Sequence, residues 1–350
     1  MVRQLKKSKS SLVRMLSAMG GYRVARWLVR HRPRILMYHR FCAEPKRGYM
    51  DVAALRSQLA QLKKEFNVVP LADVAKALNE GKALPEHAIV LTVDDGYRDF
   101  YRYAFPEFKA ANVPVSFFVT SGFVDGKTWL WPDMLSDLLE HVSPATAQWP
   151  ESTPEHLTQE LSRCTEKRSA WHHLNRFLMP MDLAAKFQWL QQAAAMNGHE
   201  INEHAPPHYE AVSWQELKEM ADSGVVDVGA HTVMHPTLSG ISLPQAIEEV
   251  KQSKARLEQQ LGIEVKHFCY PNGQPEDFTP QVASAVADAG FDCAVAAHCY
   301  YVTFHDTFAL PRFSVTTNPF QFNKIVYGVQ WLSKRLTQSG QLKRIKELQS

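Results

Sequence analysis

The chain has 350 residues, of which 45% are hydrophobic and 21% are charged, and its formal net charge is +3. This length allows one large domain or two smaller ones, and the composition is that of a globular protein. The small net charge argues against a general nucleic-acid-binding surface, so no nucleic-acid partner is expected.

Positive charge is concentrated at the amino terminus, where the first 34 residues contain ten Lys and Arg and no Asp or Glu. Residues 1–33 are interpreted either as a basic amphipathic helix lying on an anionic membrane surface or as a solvated arm docked on the domain. The apolar stretches here are too short for a signal peptide or a spanning helix. The five cysteines form no CxxC pair and are interpreted as reduced thiols. We therefore expect a cytoplasmic protein, with peripheral contact at the inner membrane face as an option.

Short apolar runs alternate with helical patterns along most of the chain. Strands are predicted at residues 34–39, 68–69, 88–93, 113–120, 225–230, 265–270 and 291–296. Helices are predicted at residues 55–66, 71–78, 97–111, 214–222, 244–261 and 281–289, with a C-terminal helix in 317–350. This alternation predicts an α/β fold with a parallel sheet closed, or nearly closed, into a barrel. Ligand sites in such folds lie at the carboxyl ends of the strands.

Residues 125–210 interrupt the alternation and are interpreted as a helical insertion between two barrel strands. They are mostly polar or helical and contain five tryptophans, Trp129, Trp131, Trp149, Trp171 and Trp189. The insertion could serve as a lid or a partner surface. The alternative is a satellite helical unit whose tryptophans form its own core.

The first chemical motif is LTVDDGY at residues 91–97, which places Asp94 and Asp95 at the end of a buried strand before a glycine turn. Burying two carboxylates without partners is costly, because each loses its hydration. A bound cation removes that cost for one of them and lowers its pKa. The alternative is that both residues cap the helix that follows.

The second motif is VGAHTVMHP at residues 228–236, which follows another apolar strand. His231 and His235 are four residues apart, so both can reach one ion from the same side of a helical turn. Two neutral imidazoles and one carboxylate form a plausible divalent-metal set with open positions for water and substrate. Alone, an HxxxH pair is weak evidence and often means two surface histidines.

A third motif, VKHFCYPNG at residues 265–273, is a strand followed by a Pro-Asn-Gly turn. A backbone N–H at this turn could stabilise an oxyanion, although Asn-Gly also explains a simple tight loop. Two weaker signals are His39, at the end of the first strand, and Arg312, in the last apolar run. Each alone is more typical of a structural residue.

Together and in this order, the motifs resemble those of the polysaccharide deacetylase superfamily, also called the NodB-homology domain or carbohydrate esterase family four. Residues 92–96 match T-F-D-D-G with one apolar change, residues 231–235 match H-S/T-x-x-H, and residues 268–273 match F-x-Y-P-x-G. The sequences MYH at 37–39 and LPR at 310–312 resemble the bacterial branch that acts on exopolysaccharides. The resemblance covers residues 34–124 and 211–316 and implies an irregular (β/α) barrel of about seven strands.

The resemblance also implies roles for individual residues. Asp95, His231 and His235 would bind a divalent metal ion, with zinc expected first and Co, Mn, Ni or Fe as alternatives. The metal would polarise the acetamide oxygen and a bound water, and Asp94 would be the general base. The backbone N–H of Tyr270 would stabilise the oxyanion, and Arg312 would keep Asp94 ionised.

The general acid is the point at which the sequence departs from the family pattern. Many members use a histidine in a C-terminal hydrophobic-x-His-Asp motif, which residues 304–306 superficially match. That match lies close before Leu310, and the MYH branch takes the equivalent histidine from the first strand. We therefore expect His39 to be the general acid, with His305 as the alternative.

The resulting hypothesis is a metal-dependent hydrolase that removes N-acetyl groups from a sugar, either a polysaccharide or a lipid-linked glycan. An N-acetylated glycan is then the expected partner. One alternative is an amidase or deformylase of the same superfamily that acts on a non-polymeric substrate. Another is a non-catalytic glycan-binding protein on the same fold. The oligomeric state is not predicted.

Overall fold

The computed structural model describes residues 21–298 and 306–333. Its strands are β1 (Arg34–Tyr38), β2 (Phe41–Cys42), β3 (Met50–Asp51), β4 (Asn67–Val68), β5 (Ala88–Val93), β6 (Val115–Val119), β7 (Val226–Ala230), β8 (His267–Cys269), β9 (Cys293–Ala296) and β10 (Leu310–Ser314). Its α-helices are α1 (Tyr22–Leu28), α2 (Val52–Glu65), α3 (Leu71–Asn79), α4 (Phe105–Ala111), α5 (Ser121–Val124), α6 (Trp131–His141), α7 (Glu155–Ser162), α8 (Lys167–Leu178), α9 (Leu183–Met196), α10 (Trp214–Asp222), α11 (Leu243–Leu261), α12 (Pro280–Asp288) and α13 (Pro319–Val326).

Seven parallel strands close into a barrel in the order β1, β5, β6, β7, β8, β9, β10 and back to β1. Closure rests on β1, which pairs with β5 over five residues and with β10 over three. Helices surround the ring, because each parallel connection must return to the starting end of the sheet. The predicted α/β barrel of about seven parallel strands is confirmed.

The set of strands in the barrel differs in two details from the predicted series. The short strand predicted at 68–69 is present as β4, at Asn67–Val68, but it pairs with β5 outside the closed ring. The seventh barrel strand is instead β10, which the sequence marks only as an apolar run. Pro311 and Arg312 make β10 difficult to predict from the sequence, since proline and a charged side chain are both unusual in a buried strand.

The barrel interior is filled by alternate residues of the strands. Ile35, Val90, Phe118, Cys269, Val295 and Leu310 belong to one buried cluster. Their neighbours Leu36, Leu91, Val119, Phe268 and Ala296 pack instead with the surrounding helices. This division follows from the alternation of side chains along a strand. Thr92 follows Val90 by two residues, and Arg312 follows Leu310 by two residues. Their polar side chains therefore also face the interior, at one end of the barrel.

Proline and glycine set two helix boundaries. The predicted helix at 97–111 is divided into a π-helical segment, Phe100–Ala104, and α4, which begins at Phe105 with Pro106 in its first turn. Proline cannot donate a backbone hydrogen bond within a helix, so it is tolerated at such a start. Gly262 ends α11 in the left-handed conformation with φ 68°, as predicted.

Residues 125–210 form a set of helices, α6 to α9, with a second hydrophobic cluster of their own. Trp129, Trp131, Trp149 and Trp189 are buried in this cluster, and Trp171 packs against it. The far end of the segment returns to the barrel by hydrogen bonds from Arg98 N to Glu210 O and from Val212 N to Gly96 O. Its tryptophans therefore form core, and its end lies directly beside the DDG turn.

The two ends of the chain are described only in part. The helix α1 falls within the predicted basic arm, and α13 within the predicted C-terminal helix; residues 1–20 and 334–350 lie outside the described residues. Cys42, Cys164, Cys269 and Cys293 are free thiols, and Cys299 lies outside the described residues. Among the described helices, none combines the length and the hydrophobicity needed to span a bilayer.

Candidate active site

The candidate site is a cavity of about 170 Å³ at the carboxyl ends of the barrel strands. It is lined by His39, Asp94, Asp95, Tyr97, Leu130, Pro132, His231, His235, Tyr270, Asn272, Ala297 and Arg312. All seven predicted site residues therefore line one cavity. The site is built there because the turns after β1, β5, β7 and β8 all leave the barrel at the same end.

Four non-glycine residues at this end have a left-handed backbone: Asp95 with φ 81°, Thr232 with φ 65°, His235 with φ 57° and Asn272 with φ 59°. This conformation is uncommon for residues with a Cβ atom and costs of order 1–3 kcal/mol for each residue. At Asp95 the turn directs two adjacent carboxylates to one cavity, which an extended strand would not do. The chain is thus strained where it presents Asp95 and His235.

Asp95, His231 and His235 present three donor atoms within 4.8 Å of one another. The Oδ1 atom of Asp95 lies 3.4 Å from Nε2 of His231 and 3.6 Å from Nε2 of His235. Donors about 2.0–2.2 Å from a tetrahedral zinc ion lie about 3.3–3.6 Å apart. These residues therefore fit a divalent ion of that size in spacing and in ligand type.

The surroundings of these side chains suit metal binding. The Nδ1 atom of His231 is 2.7 Å from the backbone carbonyl oxygen of Cys269. That contact requires Nδ1 to carry a proton, so Nε2 is the nitrogen that faces the cavity and can bind an ion once its own proton is lost. Burial alone would raise the pKa of Asp95, but in the metal-free site hydrogen bonds from His231 and His235 hold this pKa well below its usual range. Asp95 is therefore an ionised carboxylate.

Two other groups of possible ligands fit less well. The first is Asp94, His231 and Cys269, but Asp94 is already paired with Arg312. The second, on the insertion, is Asp137, His141 and His199, in which the two imidazole rings stack 4.2 Å apart at 11°. Parallel stacked rings cannot both aim an in-plane lone pair at one ion. Of the three groups, the one containing Asp95 has the favourable geometry.

Asp94 is held by a bidentate ion pair inside the barrel. Arg312 Nη1 is 2.6 Å from Oδ1 of Asp94, and Nη2 is 2.7 Å from Oδ2. Arg312 also donates to Thr92 Oγ1 at 3.0 Å and contacts Cys269 Sγ at 3.1 Å, on strands that are not its neighbours. Such contacts require its side chain to cross the interior. Burial would raise the pKa of Asp94, but the charge and hydrogen bonds of Arg312 hold it below its ordinary value.

His39 stands at the mouth of the cavity, one residue beyond the end of β1. Its Nε2 atom lies 3.8 Å from Oδ2 of Asp94, and its side chain is 44% exposed. A histidine in this position can exchange protons both with solvent and with a group bound above Asp94. The alternative acid, His305, lies outside the described residues.

Tyr270 lines the cavity, but its backbone N–H already has a partner. It donates to the carbonyl oxygen of Val295 at 3.2 Å, a long hydrogen bond. The Tyr270 hydroxyl donates to Phe308 O at 2.8 Å, and its ring stacks on Phe278. The side chain is therefore firmly held, and the predicted oxyanion role requires this N–H to be shared or released.

The insertion contributes to the cavity in a way that the sequence did not reveal. Leu130 and Pro132 form part of its wall. The hydroxyl of Tyr97 donates to Asp133 on α6, and Arg40 lies between Asp133, at 3.8 Å, and Asp99, at 2.6 Å. These contacts hold α6 against the turns that carry His39, the predicted acid, and Asp94, the predicted base. Tyr97 directly follows the DDG motif and could have been suspected, whereas nothing in the sequence marks the residues from the insertion.

Comparison with known proteins agrees with this site. The family model described as polysaccharide deacetylase matches residues 81–180 and 181–294, which is more than half of the chain. The chain belongs to the polysaccharide deacetylase family. The family and the enzyme class predicted from the sequence, a polysaccharide deacetylase-like hydrolase of amide bonds, are confirmed.

Solved structures show the same fold at low sequence identity. IcaB from Ammonifex degensii is 20% identical, with a TM-score of 0.56 over 86% of this chain and 97% of that one. The Streptococcus pyogenes deacetylase PplD, solved in complex with acetate, is 16% identical, with a TM-score of 0.53 over 83% of this chain and 94% of that one. At such identities these likenesses support the fold alone.

Among curated proteins, the chain is similar to the poly-beta-1,6-N-acetyl-D-glucosamine N-deacetylase of Escherichia coli (strain K12). The two are 40% identical over 74 residues, which is 21% of this chain and 11% of the relative. The matched part is thus a small fraction of the relative's length.

The buried ion pair predicts a large coupling between Asp94 and Arg312. The variant Arg312→Met should lower the free energy of unfolding by about 3–5 kcal/mol, because Asp94 stays buried without its counter-charge. Adding Asp94→Asn should recover part of that loss, giving a coupling of about 1–3 kcal/mol in urea unfolding of metal-free protein. As a control, Arg56→Met removes an exposed bidentate pair with Glu107 and should cost much less, because solvent screens an exposed pair. Additive losses at Asp94 and Arg312 would contradict the prediction.

Proposed function

We propose that this protein is a metal-dependent N-deacetylase that removes acetyl groups from an N-acetylated hexosamine glycan. One observation carries the proposal: three metal-type ligands, a paired carboxylate and a half-exposed histidine surround a single small cavity. Hydrolysis of an unactivated amide requires a Lewis acid, a base for water and an acid for the departing amine. The cavity contains candidates for each.

Asp95, His231 and His235 would hold the ion, and their carboxylate and imidazole donors favour zinc or another divalent transition metal. The ion, when bound, would polarise the amide carbonyl and lower the pKa of water at the site. Two of these ligands are shielded from solvent, since His231 and His235 are buried. Exclusion of water strengthens the electrostatic effect of every charge in the cavity.

Asp94 would act as the general base. Its carboxylate is buried, lowered in pKa by Arg312 and oriented by two hydrogen bonds. Arg312 is therefore a positioning residue that fixes the carboxylate plane and keeps it ionised. Asp94 would accept a proton from water as that water attacks the carbonyl carbon of the acetamide.

His39 would donate a proton to the amine as the carbon–nitrogen bond breaks. It lies on the solvent side of Asp94, at the mouth of the cavity, where the sugar that carries the leaving amine would enter from solvent. The backbone N–H of Tyr270 would stabilise the oxyanion by exchanging its long bond to Val295 for the developing negative charge.

The name of the Escherichia coli relative supports a poly-N-acetylglucosamine substrate. A test is acetate release from β-1,6-linked N-acetylglucosamine oligosaccharides by zinc-loaded protein. We expect Asp94→Asn to lower kcat by about 10²–10⁴-fold while zinc binding persists. Asp95→Asn and His235→Ala should lose the bound zinc, measured by metal analysis after dialysis.

Contrary outcomes of that test are distinct. Zinc-loaded protein that leaves sugars intact but cleaves other amides would support the amidase alternative. Protein that binds no divalent ion and is not activated by any would support the non-catalytic alternative.

The role of His39 can be separated from that of Asp94 by the leaving group. An amine needs a proton as it leaves, whereas a nitrophenolate does not. The variant His39→Asn should therefore lower deacetylation of the N-acetyl sugar by about 10²-fold and affect 4-nitrophenyl acetate hydrolysis much less. The matched variant is His305→Asn. If that variant shows the selective loss instead, His305 is the general acid.

The amino-terminal arm would hold the protein at an anionic membrane. The outer face of α1 exposes Val24, Trp27 and Leu28 by 61%, 60% and 53%, respectively. The first 34 positions of the sequence are also rich in basic residues, a combination suited to anionic lipid. Because α1 leads into the amino end of β1, it lies opposite the carboxyl ends that carry the site. A cytoplasmic protein held this way would present its active site away from the lipid surface.

Vesicle co-sedimentation tests the proposed membrane contact of α1. The full chain should bind vesicles with about 30 mol% anionic phospholipid more tightly than neutral ones, and salt should weaken binding. The variant Trp27→Ser should reduce binding at least about threefold, whereas Met196→Ser, another exposed apolar residue, should not. Equal binding of all variants would favour the alternative of an arm docked on the domain.

A further inference from the structure

The short loop between His231 and His235 is held from the side opposite the cavity by one carboxylate. Glu249, on α11, accepts hydrogen bonds through Oε2 from the backbone N–H groups of Val233, at 2.8 Å, and Met234, at 2.9 Å. Successive N–H groups of a turn form a concave site that suits an anion. None of the sequence motifs includes Glu249, which lies 14 residues after His235.

The loop needs such support because its backbone is strained. Thr232 and His235 both have a left-handed conformation, which costs of order 1–3 kcal/mol for each residue. The Thr232 hydroxyl closes the turn internally: Oγ1 accepts from His235 N at 3.1 Å and donates to His231 O at 2.6 Å. Without an external partner, relaxation of these residues would move the two imidazoles apart.

The other side of the loop rests on α5. Ser121 N donates to Thr232 O at 3.1 Å, and Gly122 N donates to Val233 O at 2.8 Å. A Cβ atom at Gly122 would lie 2.5 Å from that carbonyl oxygen, so only glycine permits this approach. The loop is thus held on two sides. Its carbonyl groups accept hydrogen bonds from α5, and its N–H groups donate hydrogen bonds to Glu249 on α11.

We propose that Glu249 is a positioning residue for the metal centre, one that holds the 232–235 loop in the strained conformation in which His231 and His235 share one ion. This inference rests on the proposed metal site. Glu249 touches neither histidine side chain and acts through the backbone that carries them. Its negative charge makes both hydrogen bonds charge-assisted and therefore roughly twice as strong as those to a neutral acceptor.

The test compares Glu249→Gln with Glu248→Gln in the full chain. Glu248 is the adjacent residue on the same helix, is exposed, and accepts a hydrogen bond from Gln252 on that helix. Both variants therefore remove one negative charge, at a residue that bonds the loop in one case and at a residue that does not in the other. Zinc is titrated into metal-stripped protein by calorimetry with a competing chelator, so the readout does not depend on any substrate.

We expect Glu249→Gln to raise the Kd for zinc by about 10-fold or more, which is the usual effect of removing an outer partner of a metal site. Glu248→Gln should bind zinc like the unmodified chain. Thr232→Val, which removes the internal hydroxyl, should weaken zinc binding similarly, and Thr232→Ser, which keeps it, should not. Circular dichroism and urea unfolding of the metal-free variants identify any that do not fold; the Thr232 pair then decides the question.

The outcomes separate this inference from the function on which it rests. If the unmodified chain binds one zinc and a folded Glu249→Gln variant binds it equally well, the positioning role of Glu249 is wrong and the metal site stands. If the unmodified chain binds no divalent ion, the metal site is wrong and this inference fails with it. If zinc binds as expected but no sugar releases acetate, the positioning role stands and only the proposed substrate is wrong.

Discussion

Two carboxylates follow one another at the end of β5, Asp94 buried and Asp95 partly buried, and the site depends on giving each a different positive partner. Asp94 receives the guanidinium of Arg312 through two short hydrogen bonds. Asp95 turns toward two imidazoles, with which it forms the proposed cation site. Without these partners, neither carboxylate would remain ionised in the barrel, because burial favours the neutral form. Directing the two carboxylates to different partners requires a left-handed backbone at Asp95, which is conformationally strained.

Barrel closure supplies those partners from distant parts of the chain. His231 and His235 follow β7, and Arg312 comes from β10, which pairs with both β9 and β1. A guanidinium on the last strand reaches Asp94 only because the ring is closed and its interior is narrow enough for one side chain to cross. The same interior contains no competing anion near Arg312 among the described residues other than Asp94, so the pair is well defined. The chemistry proposed for this protein is thus a consequence of the parallel topology.

The insertion at 125–210 has its own core but is not independent of the site. Its first helix, α6, supplies Asp133 to Tyr97 and Arg40, and the residues before it supply part of the cavity wall. The size of the cavity is therefore set partly by a segment that lies outside the strand-and-helix repeat. In such an arrangement the barrel would provide the reacting groups, and the insertion would decide which glycan fits above them.

Sequence alone determined the class of fold and the candidate residues that the structure brings to one cavity. Short apolar runs marked six of the seven barrel strands, since a buried parallel strand is apolar on both faces. The motifs at 92–96, 231–235 and 268–273 placed Asp94, Asp95, His231, His235 and Tyr270 at strand ends, and the family resemblance implied that Arg312 lies beside Asp94. Only the tertiary structure decided the partner of the Tyr270 N–H, the strand formed by Leu310–Ser314, and the contacts of Glu249 and Asp133. The physical reason is that these relations are long-range contacts between segments far apart in the chain, and local periodicity carries no information about them.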